Sequence, residues 1–263
     1  SVAATALVAG GRQLGATNSP CSGAERHLQG IWTQQTRDEL RGLYLATGQP
    51  YAEQAWKNSA DTLDLYSAEW VAMRTQACEA THVHREQSPA LLDRRMACLD
   101  RKLRGVAATA EILREARPSI ILRAVEMVDA LAPVADCADT DKLLQRKAPP
   151  TGLRKQVRDN LEQTLARVQA LITSGRYTEA AELAATLSTD AKAAGFPEVQ
   201  TEAIYQLGRA QIDLALYTDA QSALAQALFL AERGSYDELR AVVLRELASV
   251  VGNYQRQYQA GEH

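Results

Sequence analysis

Aromatic side chains are scarce in this sequence: they make up 5% of 263 residues, and only two are Phe. Strands draw on Val, Ile and aromatics, whereas helices draw on Ala, Leu, Glu, Gln and Arg. Ala, Leu and Val carry most of the 46% hydrophobic content, which excludes an all-β fold and predicts an all-α one. A charge excess is missing too. Lys and Arg number 29 against 32 Asp and Glu, a net of −3, so no basic field is available to wrap a nucleic acid backbone. With 23% charged residues beside that apolar content, wholesale disorder is excluded. No Cys-x-x-Cys pair occurs, which removes zinc-ribbon spacing.

No apolar run approaches the ~20 residues needed to cross a bilayer. The nearest is Ser1–Gly10, which also lacks the basic start of a signal peptide. It reads first as a loosely packed terminus and second as the end of a membrane helix. Because the chain opens with Ser1 rather than Met, it is expected to be a piece of something longer.

Almost every segment repeats its apolar residues at helical spacing. Leu28, Ile31, Trp32, Leu40 and Leu43 predict one helix within 23–47, stopped by Gly48 and Pro50. Trp56, Leu63, Tyr66, Trp70, Met73 and Ala77 mark one face of a long helix over 51–84, at a near-heptad step that suits close helix packing. The three Trp side chains are core anchors in this reading. Ser88 is a good N-cap and Pro89 a good first residue for a helix to about Arg114. Pro118 opens another, which ends at Pro133. The stretch 133–152 holds Pro149 and Pro150 and at most a short helix around 139–145, making it the best domain boundary. The expected organisation is a terminal segment 1–19, a helical domain 20–148 and a repeat array 149–263.

The four cysteines, Cys21, Cys78, Cys98 and Cys137, permit three disulfide connectivities or four free thiols. If the helices either side of 84–88 form an antiparallel hairpin, Cys78 and Cys98 stand level across it and pair, leaving Cys21 to Cys137. Cys78 and His82 share a helical face as two metal ligands would, but no third or fourth ligand is apparent. No hydrolase nucleophile–base pair, Gly-rich phosphate loop or Asp-Phe-Gly triplet is present. His84-Arg85-Glu86 is only superficially like a kinase catalytic loop, with Glu where the Asp belongs and Leu91 where the Asn belongs. No enzyme activity and no cofactor are expected.

The last third repeats itself at an offset of about 40 residues. Gly175-Arg176-Tyr177-Thr178-Glu179-Ala180 matches Ala215-Leu216-Tyr217-Thr218-Asp219-Ala220, and the same step links Ala184 to Leu224, Leu187 to Ala227 and Ile204 to Leu244. Ile204, Leu207, Gly208, Tyr217, Ala220, Leu224 and Ala227 resemble the signature of tetratricopeptide repeats. The match is weaker in the first unit, where Val168 replaces the glycine. The third unit shows only a first helix, about 237–258. The resemblance implies a helix-turn-helix solenoid whose first helices line a groove for a protein or peptide. By position it places Gln169 and Thr173, then Tyr205, Arg209 and Asp213, then Arg245, Ser249 and Asn253 on that groove. Two arginines there suit a carboxylate, although Arg209 is expected to pair with Asp213, four residues on, as an ordinary solvated helix pair.

A second resemblance spans the chain from Cys21 to the repeats. It rests on Gln49-Pro50-Tyr51-Ala52-Glu53 with Trp56, then Trp70 with Met73-Arg74, then Ala77-Cys78-Glu79-Ala80-Thr81. It continues through Glu86-Gln87-Ser88, Leu91-Leu92-Asp93, Arg95-Met96 and Cys98-Leu99-Asp100-Arg101. This set is similar to the region after the membrane helix in bacterial transmembrane serine/threonine protein kinases of the myxobacterial type with C-terminal tetratricopeptide repeats. The resemblance implies a kinase domain upstream, a membrane tether before Ser1, an extracytoplasmic (periplasmic) location and oxidised cysteines. The alternative is a stand-alone cytoplasmic tetratricopeptide adaptor with free thiols. Partner identity and oligomeric state are not encoded in any recognisable pattern.

Overall fold

The structure is a computed structural model that describes residues 20–254. The segment 1–19 lies outside the described residues. Ten α-helices and no strands occur among the described residues: α1 (Gln34–Ala46), α2 (Ala52–His82), α3 (Pro89–Leu113), α4 (Pro118–Asp129), α5 (Thr140–Gln145), α6 (Gly152–Thr173), α7 (Tyr177–Ala193), α8 (Pro197–Asp213), α9 (Tyr217–Gly234) and α10 (Asp237–Ser249). The all-α expectation holds, with short connections between consecutive antiparallel neighbours. Helices α1 to α4 form a bundle around α2, and α6 to α10 stack as sequential helix pairs.

The first expected helix is in fact two elements. A 3-10 turn, Ala24–Leu28, is cut off by Gly30 at φ 75°, a left-handed conformation in which a Cβ is costly. Then α1 restarts behind Thr33, whose hydroxyl accepts the backbone N–H of Thr36 at 3.3 Å. The cap at Ser88 forms as its sequence predicts, accepting from the backbone N–H of Leu91 at 3.2 Å with Pro89 in the first turn.

Trp56, Leu63, Tyr66, Trp70 and Ala77 all bury from the face of α2 that their spacing marks. Each large apolar side chain removed from water contributes roughly 1.5–3 kcal/mol. Burial would strand the polar ends of the aromatics, and partners satisfy three of them. Trp70 Nε1 donates to the carbonyl of Leu99 and Tyr66 Oη to that of Ala132, both at 2.8 Å, while Trp32 Nε1 donates to Asp64 at 2.8 Å. Trp32, Trp56 and Tyr44 form an aromatic cluster with centroids about 6 Å apart.

Pro149 and Pro150 interrupt helix between α5 and α6, yet the core does not stop there. One hydrophobic cluster runs from Trp32 to Ala210, and α3 packs along α6. A smaller cluster around Ile204, Leu224 and Val243 closes the far end. The repeat relation between Ile204 and Leu244 breaks in burial: Ile204 is enclosed, whereas Leu244 is 53% exposed. Ile204 is covered by the helices that follow it, and among the described residues no second helix of a third unit covers Leu244. The helix expected over 237–258 ends at Ser249 and passes into a single π-helical turn, Val250–Tyr254.

The expected disulfide pairing is corrected. Cys21 joins Cys78 and Cys98 joins Cys137, with Cα separations of 5.5 and 5.7 Å. Cys78 and Cys98 do stand on neighbouring helices. The seam between them at that level is filled by Ala77 and by the buried Arg95, whose guanidinium reaches Gln76 and Met73 of α2. Cys78 therefore meets the incoming chain at Cys21, and Cys98 meets the 3-10 turn Val134–Ala138 that carries Cys137. Cys78 is oxidised, so it offers no thiolate to a metal.

Candidate functional site

Helices α6, α8 and α10 are the first members of their pairs, and the expected groove residues lie on them. On α8 a stripe at helical spacing carries Glu198, Glu202, Tyr205, Arg209 and Asp213. Tyr205 is only 8% exposed, and burial pushes its phenol pKa up while the neighbouring Arg209 and Arg245 guanidinia oppose that shift. Arg245 belongs to α10, so the phenol sits between cations from two helices. Arg245 also touches the Glu246 carboxylate at 3.1 Å.

Arg209 and Asp213 do not form the expected helix ion pair. Among the described residues Arg209 has no ion pair or hydrogen bond at contact distance, although its charge still lowers the Asp213 pKa. Burial outweighs that influence and moves the Asp213 carboxyl up from its ordinary range. The other groups acting on Asp213 are Arg123 and Glu126 of α4, together with Glu246. Arg123 also reaches the carbonyl of Thr173 at 3.5 Å and lies 5.8 Å from the centre of the Tyr177 ring. Arg123 thus contacts Thr173 and acts electrostatically on Asp213, while Arg209 and Arg245 act on Tyr205 further along α8. Gln169 is exposed one turn before Thr173 on α6. Ser249 is half-buried near the end of α10, and the side chain of Asn253 lies outside the described part.

Sequence reasoning missed Arg123 and Glu126 because they come from the first bundle, and no periodicity within the repeats points to them. It also missed that the other half of the α8 stripe is covered. Glu198 and Glu202 lie within electrostatic reach of Arg101 of α3 and of the Arg146 and Arg158 side chains. The junction is an ionic cluster centred on Glu162 of α6, whose side chain is 4% exposed. Arg158 contacts it at 2.8 Å, Arg101 at 3.0 Å, and Arg104 also binds it. Burial alone would raise the Glu162 carboxyl pKa, but the three guanidinia outweigh it and hold the group at about 2.

The open site is therefore the C-terminal half of the stripe, Tyr205 to Asp213, with Arg245 on one flank and Arg123 on the other. Such a strip offers guanidinium forks for a carboxylate or carbonyl, beside the largely buried Tyr205 phenol. No helix among the described residues is long and apolar enough to cross a membrane. No family model, curated protein or solved structure matches the chain.

Proposed function

We propose that this chain is a non-catalytic protein-binding segment built on tetratricopeptide-like repeats, which holds a peptide carboxylate on the strip of Tyr205, Arg209 and Arg245. One observation carries this reading. Among the described residues Arg209 has no carboxylate at contact distance, and it lies beside a phenol that Arg245 approaches from α10. A guanidinium in that position has spare donors in a fixed fork, and an incoming carboxylate satisfies them bidentately.

The wider reading is an extracytoplasmic sensor or interaction region of a membrane-anchored serine/threonine kinase, in which partner occupancy biases association of the kinase domains. It rests on the resemblance set out above. Two disulfides support it over the stand-alone cytoplasmic adaptor, because such bonds persist in oxidising compartments and are rare in the cytosol.

The test is selection from a peptide library displayed with free C-termini, followed by fluorescence polarisation of the selected peptides. Peptides with a free or side-chain carboxylate bind, and amidation or Asp-to-Asn exchange at that group weakens them by about ten-fold or more. Selection of peptides indifferent to both changes overturns the carboxylate reading.

A further inference from the structure

A second polar feature lies away from that strip, where α3, the segment after α5, α6 and α8 meet. It is a cleft of about 30 Å³ lined by Arg94, Arg101, Arg146, Lys147 and Arg158, with Glu198 as its one acidic wall. One water needs roughly 10–15 Å³ of such space, so the enclosed part of the cleft takes a group of a few heavy atoms.

The charges here are not all neutralised within the protein. Glu162 is shared among Arg101, Arg104 and Arg158, and Arg158 also approaches Glu198 at 3.8 Å. Glu238 of α10 takes Arg146 at 2.6 Å and Lys142 at 3.2 Å. Among the described residues, Arg94 and Lys147 have no carboxylate at contact distance. Arg94 is nonetheless held in place: its Nε donates to the carbonyl of Arg146 at 3.3 Å and its Nη1 to that of Ala90 at 3.0 Å. Its remaining nitrogen, Nη2, keeps its donors. Arg101 adds a buried Nε without an acceptor. An oriented guanidinium, a nearby ammonium and a buried spare donor around a small space are the requirements for binding an oxyanion.

We infer that this cleft binds a small tetrahedral oxyanion of the phosphate or sulfate class. The bound ion bridges α3, the Arg146–Lys147 segment and α6, so its occupancy braces the first bundle against the repeat array. The inference does not depend on what the α8 strip binds, and it is tested without any peptide.

The experiment uses the full chain with its disulfides intact. Thermal unfolding and ³¹P line broadening are followed as inorganic phosphate is titrated, with NaCl holding ionic strength constant. A parallel arm replaces phosphate by sulfate and follows unfolding alone. Lys147→Gln removes an exposed charge that has no ion pair or hydrogen bond among the described residues, so its fold is secure; Arg94→Gln is the second variant, and Lys57→Gln on α2 is the control. The expected result is a saturable rise in Tm with phosphate, weakened about ten-fold in both cleft variants and unchanged in the control. A matching rise with sulfate assigns the site to oxyanions in general, and a rise with phosphate alone assigns it to a protonated oxyanion. Absence of a saturable effect at constant ionic strength, or an effect equal in all variants, overturns the inference.

Discussion

Arg95 donates from Nε to the carbonyl of Cys137 at 3.1 Å, tying the middle of α3 to the turn that carries the second disulfide. Arg95 is 3% exposed and has no carboxylate partner among the described residues. Its other donors meet neutral acceptors, Gln76 Oε1 at 2.5 Å, Gln87 Oε1 at 3.1 Å and Met73 Sδ at 3.1 Å, and burial lowers its pKa. Replacing it strands several buried acceptors at once. Arg95→Met, which keeps the volume, is expected to lose about 1–3 kcal/mol in urea unfolding, and Arg95→Ala more because it adds a cavity. An unchanged midpoint in Arg95→Met would show that these hydrogen bonds contribute no net stability.

The two disulfides close loops with sequence separations of 57 and 39 residues. On the chain-entropy account each stabilises by about 4 kcal/mol. Tryptic mapping without reduction should yield the Cys21–Cys78 and Cys98–Cys137 linked peptides, and reduction should lower the unfolding midpoint sharply. Recovery of a Cys78–Cys98 linked peptide contradicts the fold around α2 and α3.

Glu162 makes a pH prediction whose sign is fixed. Its folded pKa of about 2 lies below the ordinary 4.5, so the unfolded state binds the proton more readily. Its contribution, roughly 3 kcal/mol, is full above about 4.5 and is lost as pH falls through about 2. Glu162→Gln leaves three guanidinia facing a neutral amide and should be destabilised by about 3–5 kcal/mol at neutral pH. The gap between wild type and variant should narrow between pH 4.5 and pH 2. A gap that stays constant across that window assigns the loss to packing rather than charge.

Gly208 is the small residue of the second repeat. A Cβ there would lie 2.8 Å from Cγ of Leu224, which is fully buried and has nowhere to retreat. Gly208→Ala gains up to ~1 kcal/mol of helix propensity but overpacks the α8–α9 contact, for a net loss of about 1–2 kcal/mol. Gly105→Ala on α3, whose Cβ would sit 3.4 Å from Leu131 Cδ2, is the control and should be neutral or stabilising. Equal behaviour of the two variants in thermal unfolding would refute the close approach.

Helix content, the buried face of α2 and the caps at Ser88 and Pro89 were legible in the sequence because they follow from local spacing and local hydrogen bonds. The repeat was legible because Tyr177 and Tyr217 recur after matching turns. What the sequence hid depends on which helices meet. The cysteine partners follow from Arg95 filling the seam beside Ala77, and a charged residue on a helix gives no sign in the sequence that it will bury. Arg209 and Asp213 stand four apart as an ion pair should. They stay separate where Arg123, from a helix some 90 residues earlier, enters the same field. The cleft around Arg94 and Lys147 was hidden for the same reason, since its walls come from four separate segments.

The central claim is that the strip on α8 and α10 holds a carboxylate. The most direct measurement is calorimetric titration of one selected peptide into wild type, Arg209→Gln, Arg245→Gln and an Arg167→Gln control. Arg167 sits on α6 and pairs with Glu111 on α3, away from the strip. The account predicts a loss of about ten-fold or more in affinity for each strip variant and none for the control, with unchanged thermal unfolding in all four proteins. Binding that survives both Arg209→Gln and Arg245→Gln contradicts it.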